Sequence, residues 1–188
     1  MRLLPIALAL FGSFTASWGN GALAQIAPRH VPPSDTTVPV GARLLIQVIG
    51  EGAQIYTCTR KDGALAWNFQ APDAKLLDPA THAQLGTHGA GPMWRWNDGS
   101  AVSGKVTVSQ ASIEPDSLPW LLLAATPLGE GKGILNPVVW VRRSETHGGL
   151  APAIGCDAAH EGRTTHVTYQ ALYTFYSVGT PAGQPRSQ

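Results

Sequence analysis

The sequence predicts a mostly β, single-domain fold: an antiparallel β-sandwich or barrel with one disulfide. Apolar and polar residues alternate in several segments, most clearly over residues 166–175, as in strands that bury one face. The chain of 188 residues contains 21 Gly and 15 Pro, a composition that favours turns over long helices. It also contains two cysteines, Cys58 and Cys156. Short strands at regular spacing are typical of sandwiches and of barrels, so both architectures remain open.

The individual strands are predicted from the positions of their apolar side chains. Residues 121–125 and 138–141 are apolar throughout, which is typical of strands buried on both faces. Asp62-Gly63 lies between two apolar runs and predicts a tight hairpin, and Asn97-Asp98-Gly99 predicts another turn. Four further segments alternate, and their apolar residues are each expected to share one face: Leu44, Ile46 and Val48; Trp67, Phe69 and Ala71; Val102, Val106 and Val108; and Val167, Tyr169, Ala171, Tyr173 and Phe175.

The N-terminal sequence is typical of a secretory signal peptide. A positive start, a mainly apolar run over residues 3–14 and the small-x-small sequence Ala22-Leu23-Ala24 follow one another. The apolar run is shorter than the roughly 20 residues that a membrane-spanning helix needs. We therefore expect a signal peptide at 1–24, an extended N-terminal arm at 25–41, the β domain at 42–178 and a flexible tail at 179–188. The mature protein would be periplasmic or extracellular and would have no membrane span.

Export gives the two cysteines a simple interpretation. An even pair in an exported protein predicts a disulfide between Cys58 and Cys156. The bridge would tie an early strand to a late segment and so enclose most of the domain. A pair of metal ligands is the alternative, and it is disfavoured because the two cysteines form a lone pair that is distant in the sequence.

Charge and motifs exclude several classes of function. The 13 Lys and Arg nearly balance the 12 Asp and Glu, and no basic patch indicates a nucleic-acid partner. The glycine-rich loop at 129–133 lacks the dinucleotide-binding pattern because Ile134 stands where the last glycine would be. His160 and His166 are too far apart for a helical zinc site, and no serine lies in a hydrolase elbow. We expect neither a cofactor nor a metal, and the expected partner is an unidentified small molecule or glycan.

Chemistry-bearing side chains concentrate in residues 86–100. His88 and Asp98 have the residue types of a base and its orienting group, and an indole such as Trp94 suits stacking on a sugar or an aromatic ligand. Trp120, at the start of a buried strand, is a further candidate. We predict His88, Trp94, Asp98 and Trp120 as ligand-binding residues and assign no catalytic residue. Core packing is the alternative for the two tryptophans, and a purely structural role in the turn is the alternative for Asp98.

A second candidate region follows the apolar strand at 138–141. Arg142 and Arg143 end this strand, and one of them is expected to face a polar site in the interior.

Several blocks in one order resemble a known family. They are Gln54-Ile55-Tyr56-x-Cys58, Trp67-x-Phe69-x-Ala71-Pro72-x-Ala74, Gly86-x-His88-x-x-Gly91-Pro92-x-Trp94, Asp98-Gly99-Ser100-x-Val102-x-Gly104, Pro119-Trp120-Leu121-Leu122-Leu123, Gly148-Gly149-x-x-Pro152-x-x-Gly155-Cys156 and Tyr169-x-Ala171-x-Tyr173-x-Phe175-Tyr176. With these blocks the chain resembles the family catalogued as domain of unknown function 3455, which contains exported or surface proteins of bacteria and fungi. The resemblance spans about residues 42–176.

The resemblance implies little chemistry, since no activity is established for the family as a class. Some fungal relatives carry a malate dehydrogenase label, which the missing nucleotide fingerprint does not support. Gly89 departs from the aromatic residue that we expect after the histidine in relatives. We rank a small-molecule or glycan binding module of the cell envelope first. A structural or interaction protein of the envelope is second, and a hydrolase that uses His88 with a nearby carboxylate, Asp98 or Glu114, is third.

Overall fold

The computed structural model describes residues 36–129 and 132–178, and these residues form strands, turns and loops. The predicted signal peptide, the first part of the arm up to residue 35 and the tail at 179–188 lie outside the described residues. No helix in the described ranges is long and apolar enough to cross a membrane. The eight strands are β1 (Ala42–Lys61), β2 (Ala64–Leu77), β3 (Gln84–Gly89), β4 (Met93–Trp96), β5 (Ala101–Gln110), β6 (Trp120–Pro127), β7 (Val138–Gly148) and β8 (Thr164–Val178).

The strands form a closed antiparallel barrel in sequence order. Each strand pairs with the next, and β8 returns to pair with β1 from Ala42 opposite Val178 to Thr57 opposite Thr164. The predicted antiparallel β fold is thus confirmed, and of the two architectures left open it is the barrel. The ring of strands is incomplete at one place, because β2 pairs with β3 only from Ala74 to Leu77 and β5 pairs with β4 only from Ala101 to Ser103. The remaining parts of β2 and β5 have no partner strand on that side among the described residues.

The up-and-down order of the strands puts alternate loops at opposite ends of the barrel. We call the end with the loops at 62–63, 90–92, 111–119 and 149–163 the mouth. The other end, with the loops at 78–83 and 97–100 and the described parts of the β6–β7 loop, is the base. At the mouth Asp62 and Gly63 join β1 to β2 with φ values of 50° and 84°, the positive pair that a two-residue primed turn requires.

The core fills the barrel interior, mainly towards the base. The inward positions of β8 that alternation predicted are buried there, with Tyr173 and Phe175 at most 1% exposed. They pack with buried residues from the other strands and from the β6–β7 loop: Val48, Ala74, Leu76, Trp94, Val102, Leu118, Leu123, Leu135, Val138, Val141, Tyr169 and Ala171.

Strand β6 is buried on both faces, as its continuous apolar sequence predicts. Leu123 faces the barrel interior, and the neighbouring Trp120 and Leu122, each 4% exposed, face outward. The Arg142 guanidinium lies over the Trp120 ring, 5.6 Å from its centroid. Arg142 Nε also donates to Thr36 Oγ1 (3.3 Å), so this outer face is covered at the end of the N-terminal arm.

Three of the four predicted faces are interrupted by β-bulges. In β1 the register against β8 shifts between Leu44 and Ile46, so Leu44, which is 57% exposed, does not share the buried face of Val48. In β2 Phe69 pairs with Tyr56 and Ala71 with Ile55, so Phe69 and Ala71 lie on opposite faces.

The third bulge lies in β5. Val106 pairs with Leu123, but Val108 pairs with Leu122, and the register shifts between them. Because Leu122 and Leu123 point to opposite faces of β6, Val106 and Val108 also lie on opposite faces. The expectation that these two valines share a face is wrong, since alternation along one strand cannot reveal an extra residue.

The predicted disulfide is confirmed and lies at the mouth. Cys58 Sγ and Cys156 Sγ are bonded, which joins the end of β1 to the β7–β8 loop across a sequence separation of 98. The same loop is held by hydrogen bonds to the barrel, from Tyr56 Oη to the Gly149 carbonyl (2.6 Å) and from Trp67 Nε1 to the Ile154 carbonyl (3.0 Å). The bridge also excludes the alternative that the two thiols bind a metal.

The base is held by the carboxylate of Asp98. Asp98 Oδ1 accepts from Ser100 N (2.8 Å) and Ser100 Oγ (2.6 Å), and Oδ2 accepts from Ile134 N (2.8 Å). Ser100 Oγ in turn accepts from Leu135 N (3.2 Å). These hydrogen bonds lower the pKa of Asp98. The turn between β4 and β5 is thereby joined to the β6–β7 loop, which packs the buried Leu135 beneath the core.

We predict that reducing the disulfide lowers the free energy of unfolding by about 2–5 kcal/mol, because the unfolded chain loses a long closed loop. Urea unfolding with and without reductant measures the loss. Thiol labelling of the denatured, unreduced protein should find no thiol, and two reactive thiols per chain would contradict the bridge.

We also predict that Asp98→Ala lowers the melting temperature, since three N–H or O–H donors lose their acceptor. Asp73→Ala is the matched control, because Asp73 is an exposed carboxylate with no hydrogen bond to any described residue. Thermal unfolding followed by circular dichroism compares the two. Equal melting temperatures would show that the Asp98 hydrogen bonds do not hold the base.

Candidate functional site

A cavity of about 370 Å³ lies inside the barrel towards the mouth. Its walls are mostly apolar and include Phe69, Pro72, Pro92, Val106, Leu118, Pro119, Leu121 and Leu123. Its polar or aromatic lining residues are Gln54, Tyr56, Gln70, His88, Trp94, Arg143 and Tyr173. Phe69 and Val106 line the cavity and are nevertheless 54% and 46% exposed, so the cavity opens to solvent between β2 and β5.

Three stacked or edge-on rings form one wall of the cavity. The His88 imidazole lies parallel to the Trp94 indole, with centroids 4.5 Å apart and planes 4° apart. Tyr173 meets both rings edge-on, at 5.1 Å from His88 and 5.7 Å from Trp94. These geometries are the favoured ones for aromatic pairs. The three side chains therefore support one another in fixed positions.

His88 is a neutral imidazole in the folded protein. Burial lowers its pKa to about 4, an effect that the hydrogen bond to Met93 opposes and the Arg143 charge reinforces. Nδ1 lies 2.9 Å from the Met93 carbonyl oxygen, which can only accept. Nδ1 therefore carries the proton, and Nε2 is left as a hydrogen-bond acceptor.

Arg143 brings a positive charge to the cavity wall. Its Nε and Nη2 donate to the Pro119 carbonyl (3.1 and 2.9 Å), which fixes the guanidinium against the β5–β6 loop. Burial raises the pKa of Tyr56 and of Tyr173, and the Arg143 charge opposes both shifts. No carboxylate among the described residues forms an ion pair with Arg143.

Two buried donors near the cavity have no hydrogen-bond partner in the described part of the chain: Gln54 Nε2 and Trp94 Nε1. Gln54 is only 2% exposed, and it lines the cavity. A buried amide without a partner is costly, and such groups are often satisfied by water or a ligand. Together with the donors of Arg143 and Tyr173, the amide of Gln54 gives the cavity several hydrogen-bond donors on one side, which we call its inner wall.

The structure brings two of the four predicted ligand-binding residues together. His88 and Trp94 pack against each other and line the cavity. Asp98 lies at the base, in the turn after β4, and its oxygens are used by backbone and serine donors. Trp120 lies on the outer face of β6 under Arg142. The ligand-binding role of these four residues stays a prediction.

The expectation that one of two arginines faces an interior polar site fits Arg143, while Arg142 lies on the outer face. The expectation that the two arginines end their strand is wrong, because β7 continues to Gly148. Sequence reasoning missed Gln54, Tyr173 and Leu121 as lining residues. A signal was present for Gln54, because it continues the inward positions of β1 between Val48 and Cys58 at a spacing of two.

Carboxylates are absent from the described lining of the cavity, since none of its lining residues is Asp or Glu. Within residues 36–129 and 132–178, no three His, Cys, Asp or Glu side chains are placed to hold a metal ion together. The cavity lining therefore supplies apolar contact, hydrogen-bond donors, the acceptor Nε2 of His88 and one positive charge.

We predict that His88 titrates near pH 4, against about 6.5 for an unfolded histidine. As the pH falls from about 6.5 to 4, the unfolded state binds a proton that the folded state excludes, so stability declines. The loss from this group is roughly 3 kcal/mol. NMR of the imidazole protons against pH tests the value, and a midpoint near 6.5 would contradict it. His88→Gln should remove this part of the pH dependence of unfolding.

Comparisons with known proteins give the family. No curated protein matches the chain, and no solved structure matches it. The model of the family described as a protein of unknown function, DUF3455, matches residues 39–177, a span that contains β1 to β7, all but the last residue of β8 and every residue that lines the cavity. The chain therefore belongs to the DUF3455 family.

Proposed function

We propose that this chain is an exported small-molecule binding protein whose barrel holds one predominantly apolar ligand. The observation that carries the proposal is the cavity itself, which has apolar walls and buried donors without protein partners. An eight-stranded barrel either fills its interior with side chains or leaves room for one small ligand. Binding pockets are typically roughly 300–1,000 Å³, and this cavity, at about 370 Å³, lies at the small end of that range.

The arrangement of the tryptophans favours an apolar molecule over a glycan. Stacking on a sugar needs a free indole face, but one face of Trp94 is covered by His88, and Trp94 is only 1% exposed. Trp120 lies on the outer face of β6. Phe69 at the opening is the exposed ring of the cavity lining, and it suits contact with an apolar ligand.

A hydrolase that uses His88 with a carboxylate has weaker support. General-base catalysis needs an orienting partner and a carboxylate within hydrogen-bond reach, or one water away. A backbone carbonyl, that of Met93, orients His88, and no carboxylate lines the cavity. An acceptor nitrogen on a neutral imidazole suits binding of a ligand hydroxyl or amide.

Export is supported by the sequence and by the bridge. The N-terminal pattern is that of a signal peptide, and structural disulfides persist mainly in oxidising compartments outside the cytosol. A binding protein in the periplasm or in the medium would meet its ligand there directly.

The proposal predicts that a neutral apolar fluorophore, N-phenylnaphthylamine, binds with about one molecule per chain and becomes brighter as it leaves water. Leu121→Trp places an indole in the cavity wall and should weaken binding by about tenfold or more, since it removes ligand space. Leu44→Trp is the matched control, because Leu44 is an exposed leucine of β1 near the base, 57% exposed. Fluorescence titration and melting temperatures are measured for both variants.

Two results would overturn the proposal. One is the absence of saturable binding of the probe to the wild-type protein. The other is an equal loss of affinity in both variants, which would place the probe outside the cavity. A structural role alone predicts that no apolar probe binds with defined stoichiometry.

A further inference from the structure

The inner wall of the cavity is supplied with donors and one cation but with no anion. We infer that the ligand carries a single carboxylate, which lies inside the barrel and pairs with Arg143, while its apolar part extends towards Phe69 at the opening between β2 and β5. The inference rests on the proposed function, and it names the class of ligand: an apolar monocarboxylate.

The first argument is the charge of Arg143. The Arg143 guanidinium is partly buried, and a positive charge in apolar surroundings is costly without a partner of opposite sign. Its two protein contacts of defined geometry go to the neutral Pro119 carbonyl, and Tyr173 supplies a further neutral partner. A guanidinium carries more N–H donors than these contacts use, so donors remain for a bound anion.

The second argument is the balance of donors and acceptors. Gln54 Nε2 is buried, lines the cavity and has no partner among the described residues. An amide N–H group and a guanidinium both donate, so they suit the same kind of ligand group, an oxygen anion with several lone pairs. A ligand amine would instead face a like charge and unsatisfied donors.

The third argument fixes the number of charges. Arg143 is the one Lys or Arg among the residues that line the cavity in the described part of the chain. His88 lines the same wall, and its burial keeps it neutral at neutral pH. One fixed positive charge neutralises one carboxylate, and a second negative charge on the ligand would be buried without compensation.

The apolar lining fixes the rest of the ligand. Leu121, Leu123 and Val106 provide the walls between Arg143 and the opening, so apolar contact adds to the ion pair. Acetate, which has the carboxylate but almost no apolar surface, should therefore bind far more weakly than a longer chain.

The test uses octanoate, octan-1-ol, octylamine and acetate with the wild-type protein at neutral pH, by isothermal titration calorimetry. Octanoate should bind roughly 10- to 100-fold more tightly than the alcohol, since hydrogen bonds to charged groups are the stronger ones. The amine and acetate should bind more weakly than octanoate. Arg143→Gln should remove the preference for octanoate over the alcohol, whereas Arg142→Gln, a change of the same residue type on the outer face of the same strand, should keep it.

Each failure has a distinct meaning. Equal affinities for octanoate and octan-1-ol in the wild-type protein overturn the carboxylate and leave the apolar binding function standing. If none of the octyl compounds binds, the carboxylate and the proposed function both fall. A preference that survives in Arg143→Gln overturns the assignment to Arg143. If Arg143→Gln does not fold, Arg143→Lys is used instead, since it keeps the charge without the planar guanidinium. The comparison of octanoate with octan-1-ol in the wild-type protein tests by itself whether the ligand carries a carboxylate.

Discussion

The pairing of β1 with β8 closes the sheet and brings the apolar faces of the eight strands together. Alternation along a strand marks its apolar face, but it does not determine how the apolar faces of different strands meet. Once β1 is paired with β2 on one side and β8 on the other, the inward positions must together fill a cylinder of fixed width. At the base they do so with large side chains, among them Trp94, Phe175 and Leu76, all at most 1% exposed.

Two glycines determine where along the barrel axis the packed core ends and the cavity begins. A Cβ on Gly50 would collide with the Tyr173 ring, and a Cβ on Gly104 would lie 2.8 Å from a Trp94 ring carbon. The missing side chains let both rings approach the backbone closely. Tyr173, Trp94 and the stacked His88 form an aromatic layer in the barrel. The cavity begins at this layer, and His88, Trp94 and Tyr173 all line it.

The sequence allowed much of the fold to be predicted and only part of the site. Alternation and turn residues reveal the strands and hairpins because these depend on local geometry. The Cys58–Cys156 bridge follows from the even number of cysteines and the predicted export. Closure is a property of the whole sheet, so a barrel could not be distinguished from a sandwich. The same limit explains why Trp120 was predicted as a ligand-binding residue. It lies in an apolar segment, but its side chain is on the outer face of β6, a strand that is buried on both faces. The sequence left open which of Arg142 and Arg143 faces the interior, because that choice depends on the register of β7 against its neighbours.

A cavity weakens the mouth of the barrel, and the disulfide compensates for that weakness without filling it. Side-chain packing would stabilise the mouth only by occupying the volume that a ligand needs. A covalent bond acts largely by restricting the unfolded chain, so it adds stability without adding interior volume. Cys58 stands two residues beyond the cavity-lining Tyr56 on the same face of β1, where the bridge holds the β7–β8 loop over the barrel end. Such a bond persists mainly in oxidising surroundings. The stability of a barrel with an open interior is therefore linked to the exported location that we propose.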